Sequence, residues 1–369
     1  MSFYDLIQSC KDFDIEQFCA EVTPQKVQSI LAKNNLTEYD FLALLSDAAD
    51  PFLEEIAQKA AVQTRKYFGK TVKIFTPLYI SNYCQNKCAY CSFASQHHIN
   101  RRHLNLDEIR AEAEKISSTG IRHILLLTGE APSLVTLQYI KDAVKILREY
   151  FSSVAIEIYP LTSEGYAELI KEGIDGLTIY QETYNQSLYK KLHTGGPKEN
   201  YRFRLEAPER ASAQNIRVVT IGALFGLYNW RYEAFFTALH ASFLQKNYPS
   251  VELCLSFPRL RPLAGEFNTS YLVSDRQFVR MMVAARLFLP FAGICVSTRE
   301  SEKFRRAIIP MGVTKISAGV STAVGGHIGD GSTSQFEIAD PRTLEQVKED
   351  LHKMGYQPVM HDWSNRFEI

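Results

Sequence analysis

The chain has 369 residues, 46% of them hydrophobic and 22% charged, a globular balance that excludes wholesale disorder. Its 41 basic and 41 acidic side chains cancel, which excludes a protein whose main task is gripping nucleic acid, since such proteins show a basic excess. No run approaches the roughly 18 apolar residues of a membrane span, and the opening MSFYDLIQSCKDFDIEQF carries early acids and no apolar signal-peptide core, so a cytoplasmic protein with no membrane partner is expected.

Residues 1–70 read as helical. Val27, Ile30 and Leu31, then Phe41, Leu42, Leu44 and Leu45, recur at helical spacings. Thr37-Glu38-Tyr39-Asp40 is a helix start, and a further helix is expected from Pro51 to Phe68, stopped by Gly69. From Val72 the rhythm changes. Strand-like runs at 73–80, 123–128, 154–158, 176–181, 217–222, 251–257, 294–298 and 314–318 alternate with helical stretches such as 106–119, 134–151, 231–245 and 274–289. Eight strands separated by helices fit an α/β fold, a closed (β/α)8 barrel of the TIM type, with an open doubly wound sheet as the alternative. The expected division is an N-terminal helical layer over 1–70, the barrel over 71–320, and a C-terminal segment packed on the barrel over 321–369. No internal repeat or low-complexity segment is visible.

Barrel chemistry sits where the strands end. Here those ends read Thr128-Gly129-Glu130, Glu157-Ile158-Tyr159-Pro160, Gln181-Glu182-Thr183, Ser256-Phe257-Pro258-Arg259, Ser297-Thr298-Arg299-Glu300 and Ser317-Ala318-Gly319, a polar rim that a bare core would not need. Residues 325–331 are glycine-rich and read as a lid or turn, with a phosphate cradle as the alternative. No G-x-x-x-x-G-K-[ST] occurs, which argues against a nucleotide triphosphatase.

Three of the seven cysteines, Cys84, Cys88 and Cys91, follow the first strand as C-x3-C-x2-C. Clustered thiols without an export signal read as metal chemistry. Three thiolates on one loop can hold three irons of a four-iron cluster and leave the fourth open to bind a small molecule and pass it an electron. A structural zinc with His97 or His98 as fourth ligand is the alternative, although the spacing is not that of the usual C-x2-C knuckle. Cys254 and Cys295 supply too few ligands for an auxiliary cluster and read as buried thiols. Cys10 and Cys19 are assigned nothing.

This loop resembles that of the radical S-adenosylmethionine superfamily. The resemblance implies a [4Fe–4S] cluster on Cys84, Cys88 and Cys91, with S-adenosylmethionine as second cofactor, cleaved to methionine and a 5′-deoxyadenosyl radical. Carried over position by position, it implies Tyr90 against the adenine. It puts Thr128, Gly129 and Glu130 at the methionine amino group, with threonine where the first glycine is common. Glu157 and Arg204 would meet the ribose or methionine ends, and Gly222, Ala223 and Phe225 would lie along the adenine.

Residues 76–82, 180–184, 203–210, 256–262 and 297–300, and the ending 357–363, are similar to the aromatic amino-acid lyase branch, nearest the tyrosine lyases of thiamine thiazole biosynthesis. Within it the implied reaction breaks the Cα–Cβ bond of L-tyrosine to give 2-iminoacetate and p-cresol. Arg299 is the implied carboxylate clamp, its guanidinium fork matching a carboxylate at two points; the alternative is an arginine paired with Glu300 or Glu302. Ser317 is the implied second hydrogen-bonding partner, and Tyr79 the phenol beside the amine. Glu182, Arg259 and Arg261 are expected along the cavity, with salt bridging behind it as the alternative. A flavodoxin or ferredoxin-type electron donor and a thiazole synthase partner are implied. Three other readings stay open. Hydrogenase-cofactor maturases also split tyrosine but carry a C-terminal cluster, whereas no cysteine follows Cys295. A tryptophan lyase would differ in pocket shape. A non-catalytic iron–sulfur or zinc protein would not cleave the cofactor at all.

Overall fold

The structure, a computed structural model, describes residues 2–261, 267–329 and 332–361; of the positions named above, Pro262, Asp330, Gly331, Asp362 and Trp363 lie outside the described residues. The N-terminal layer is five helices, Phe3–Ser9, Ile15–Glu21, Pro24–Leu31, Glu38–Leu44 and Leu53–Phe68. The first four begin where a short polar side chain accepts an otherwise orphaned backbone N–H, from Ser2, Asp14, Thr23 and Thr37, and Ser2 and Thr37 form reciprocal capping boxes with Asp5 and Asp40. The expected helix from Pro51 starts two residues later. Asp47–Phe52 is a 3-10 helix, because Pro51 has no N–H to give an α-helical ladder.

The layer packs outside the barrel on helices Trp230–Asn247 and Asp275–Phe288. Phe41 stacks on Phe288 at 5.4 Å between ring centroids, and Phe3 on His240 at 4.0 Å. Arg280 is buried beneath it, donating to the Ser46 carbonyl at 3.0 Å and pairing with Asp50. One apolar cluster runs from Phe3 through the barrel to Leu351.

The eight expected strands are all present: β1 (Thr71–Ser81), β2 (His123–Thr128), β3 (Ser153–Glu157), β4 (Gly176–Glu182), β5 (Val218–Ala223), β6 (Glu252–Ser256), β7 (Gly293–Val296) and β8 (Lys315–Ser317). Neighbours are parallel throughout, and β1 pairs with both β2 and β8, so the ring closes and the open-sheet alternative falls. The strands are nearly continuous apolar runs, as in β2 (HILLLT), because helices cover one face and the barrel interior the other. A ninth strand, β9 (Gln357–Val359), lies against the start of β1. Pro358 at its centre hid it from the sequence, since proline is tolerated in a sheet only at an edge.

Past β8 the chain crosses the barrel mouth before helix Leu344–Lys353. Buried Asp340 anchors this crossing to Arg305 and Arg342, and the backbone N–H groups of Ala339 and Asp340 donate to the Thr298 carbonyl at 2.9 and 3.2 Å. The described part of the glycine-rich stretch is a pinned turn. The N–H groups of His327 and Ile328 donate to the Glu112 carboxylate at 3.2 and 3.0 Å, so an acid of the chain already takes the donors a phosphate would need. Among the described residues no helix is long and apolar enough to cross a membrane.

Candidate active site

The loop after β1 is held from three directions by backbone and amide contacts, which leaves its thiols uncommitted. Gln85 N–H donates to the Glu130 carbonyl at 2.8 Å, Lys87 N–H to Gly195 at 2.8 Å and Ala89 N–H to Leu192 at 3.0 Å. Cys88 faces His193 in an antiparallel bridge. Buried Asn86 joins two of these anchors: its Nδ2 donates to Glu130 at 2.6 Å and its Oδ1 accepts from Lys198 N–H at 2.9 Å. Arg101 closes the third side through the carbonyls of Asn82, Phe93 and Ala94 at 2.6 to 2.7 Å.

Cys84, Cys88 and Cys91 are free thiols. Burial pushes the Cys88 thiol up to about 12 and raises that of Cys91, so a bound cation would be what holds these two as thiolates. Among the described residues no three His, Cys, Asp or Glu side chains are grouped to hold a single metal ion, and His98 is exposed. A four-iron cluster takes its cysteines at separate corners and asks for no such convergence. The donor set fits that cluster.

Gly129, straight after β2, packs under the loop. A Cβ there would lie 2.3 Å from the Tyr83 carbonyl oxygen, a backbone atom that cannot swing away. Gly129→Ala is therefore expected to push the loop off its seat and lower turnover roughly a hundredfold, the cost of an ångström-scale misplacement; iron content and product yield check this. Next to it, Thr128 Oγ1 is buried with no hydrogen-bond partner, an acceptor and donor left over for a ligand.

A cavity of about 1010 Å³ of empty space, its mouth included, opens at the C-terminal ends of the strands. It gathers Tyr79, Tyr90, Cys91, Glu157, Arg299 and Ser317 from the sequence reading. Arg299 carries a charge into it with no acid at ion-pair distance among the described residues. Glu300 is taken by Arg259 and by Arg261 at 3.2 Å, and Glu302 lies 3.5 Å from Arg342, so the paired-arginine alternative fails among the described residues. Arg259 and Arg261 thus brace Glu300 and are not on the cavity wall, whereas Glu182 is. Ser317 Oγ accepts from Thr298 N–H at 3.1 Å, which leaves its own hydrogen to donate. Tyr79 donates to Gln335 Oε1 at 2.7 Å, and burial raises its phenol above the usual range, so it stays protonated. Burial likewise brings Glu157 to about 7, with Arg299 pulling the other way.

Tyr90 is fixed by His193. The ring's Nδ1 lies 2.7 Å from the Tyr189 carbonyl, which can only accept, so Nδ1 carries the hydrogen and Nε2 accepts from the Tyr90 hydroxyl at 2.7 Å. Burial, with Lys198 nearby, lowers His193 to about 3 and keeps it neutral.

The remaining sequence candidates sit behind the wall. Arg204 donates to the Tyr180 carbonyl at 2.7 Å and pairs with Glu182 at 3.3 Å. Glu130 faces Asn86. Gly222 admits the Ser256 carbonyl to where a Cβ would sit, at 2.1 Å, and Ala223 and Phe225 are buried beside it, while Leu224 lines the cavity. Sequence reasoning missed Lys198, Gln335 and Phe336 on the wall. Gln335 and Phe336 come from an irregular segment, and Lys198 from the one-turn 3-10 helix Pro197–Glu199, too short for a periodicity; the Gly195-Gly196-Pro197 stretch before Lys198 was the one available signal.

Residues 78–239 match the Radical SAM superfamily, and residues 256–357 the Biotin and Thiamin Synthesis associated domain. The chain is 39% identical over 345 residues to the 2-iminoacetate synthases of Salmonella typhimurium and Escherichia coli, covering 93% of this chain and 92% of each relative. Among solved structures it is similar to HydG, a maturase of the [FeFe]-hydrogenase, with TM-score 0.90 and 32% identity over 94% of this chain and 79% of that one.

Proposed function

The chain belongs to the radical S-adenosylmethionine superfamily and, within it, to the family of the 2-iminoacetate synthases, and from that premise we propose that it cleaves the Cα–Cβ bond of L-tyrosine to 2-iminoacetate and p-cresol. The observation that carries the reading is Arg299: a cation with no acid partner in the described structure, in a cavity that also has Cys91 on its wall. Cys84, Cys88 and Cys91 would hold a [4Fe–4S] cluster, which together with S-adenosylmethionine would supply a 5′-deoxyadenosyl radical.

The chain's own residues have three tasks. Arg299 holds the substrate carboxylate in two-point fashion, with Ser317 as a further donor, so that the amino nitrogen and not Cβ faces the attacking carbon. Tyr79, its hydrogen already directed to Gln335, offers oxygen lone pairs to the amine. Phe75, Leu125, Leu127 and Leu224 keep water and stray hydrogen donors from a reactive radical. Around the cofactor, Tyr90, Gly222, Ala223 and Phe225 serve the adenine side, Thr128, Gly129 and Glu130 the methionine side, and Glu157 and Arg204 the ribose or methionine ends.

We read residues 1–70 as a supporting layer, 71–320 as the barrel and 321–369 as its C-terminal segment. A flavodoxin or ferredoxin-type donor reduces the cluster in the cytoplasm, and a thiazole synthase takes the labile imine. Anaerobic reconstitution with tyrosine and S-adenosylmethionine is expected to yield p-cresol and 5′-deoxyadenosine. Indole products from tryptophan, or a cluster inert toward the cofactor, would overturn the assignment.

A further inference from the structure

Two adjacent residues of the segment that crosses the barrel mouth touch the two groups assigned to the amino acid. Gln335 Oε1 accepts the Tyr79 hydroxyl at 2.7 Å, and the Arg299 guanidinium carbon lies over the Phe336 ring, 3.6 Å from its centroid. Both side chains line the cavity. Their backbone is pinned on Thr322: Gln335 N–H donates to the Thr322 carbonyl at 3.2 Å, and Thr322 Oγ1 donates to the Phe336 carbonyl at 3.1 Å. Downstream, the segment is fastened by buried Asp340.

We propose that Gln335 and Phe336 are positioning residues for the amino-acid substrate, Gln335 acting through Tyr79 and Phe336 through Arg299; this rests on the tyrosine-lyase reading above. The physical case differs for each. A guanidinium has a π-face and a rim of N–H donors. Phe336 occupies the face, by cation–π attraction, and leaves the rim free for a carboxylate in the plane. It also steadies the guanidinium in the cavity, which sets how tightly the carboxylate is held. Gln335 takes the one hydrogen of Tyr79. The phenol then meets the amine only as an acceptor, so the nitrogen is turned by its N–H bonds. Without Gln335 the hydroxyl would be free to donate instead, and the amine would lose its orientation but not its binding.

The two roles predict different kinetic signatures in the reconstituted enzyme. Phe336→Leu, which keeps apolar volume and removes the ring, is expected to raise the tyrosine KM roughly tenfold with kcat within about twofold, and Phe336→Tyr to restore it. Gln335→Leu is expected to lower kcat for p-cresol roughly tenfold at nearly constant KM, while 5′-deoxyadenosine released per p-cresol rises. In a Tyr79→Phe background Gln335→Leu should add nothing. Iron content and S-adenosylmethionine binding should match the wild type in every variant, which separates positioning from misfolding. Wild-type kinetics in Phe336→Leu and Gln335→Leu, or a Gln335→Leu loss that persists in full without the Tyr79 hydroxyl, overturns the inference alone. A wild-type chain that forms no p-cresol from tyrosine brings it down together with the function it rests on.

Discussion

Replacing any one of Cys84, Cys88 or Cys91 with alanine is expected to reduce p-cresol and 5′-deoxyadenosine formation to background while leaving the chain folded. The thiols are free, and the loop that carries them is seated by Gln85, Asn86, Lys87, Ala89 and Arg101, not by the sulfurs. Losing a sulfur therefore removes a ligand without unseating the backbone. Loss of a supporting contact around a metal site costs about 10–100-fold in affinity or activity; loss of one of three ligands exceeds that. Iron and sulfide analysis with a product assay measures it, and Cys254→Ala, which removes a buried thiol outside the cavity lining, is expected to keep its cluster and turnover. Full turnover in any of the three loop variants contradicts the cluster assignment.

Arg299→Gln is expected to lower kcat/KM for tyrosine by roughly 10²–10³-fold, because a buried charge-assisted pair truncated on one side costs about 3–4 kcal/mol. Arg299→Lys should recover only part of this. An ammonium keeps the charge but offers one point where the fork offers two, and it forfeits the flat contact with Phe336. Steady-state kinetics with tyrosine decides it. An unchanged KM in Arg299→Gln would move the carboxylate elsewhere in the cavity, where Lys198 is the next cation on the wall, already paired with Glu182 at 2.6 Å.

The barrel was legible because its signals are local and repeated. Strand-like runs such as HILLLT recur eight times among capped amphipathic helices, and six of them end in polar residues a core does not need. The cysteine loop was legible from spacing alone. What escaped were contacts whose partners lie far apart in the chain and in no regular element. Gln335 meets Tyr79 across 256 positions, and nothing in Ser334-Gln335-Phe336 marks that stretch as a wall. Arg259 and Arg261 misled for the opposite reason. They end a strand, as functional residues do, yet their charge is spent on Glu300, a pairing that only three-dimensional proximity reveals. Arg204 was singled out for its motif context, and what that context did not show is its hold on Glu182 and the Tyr180 carbonyl.

The closure of the ring has a consequence for how the chain comes into being. β1 pairs with β2, but also with β8 and β9, which are synthesised last. On the ribosome, the first strand and the cysteine loop it carries are exposed long before the elements that complete their surroundings have been translated. The loop's seat at 192–198 comes later than the loop, and Gln335 and Phe336 later still. Such non-local pairing makes a fold slow to form and leaves a half-made barrel with open strand edges. The finished barrel is thus the first form of the chain in which the cysteine loop has a fixed backbone beside a walled cavity.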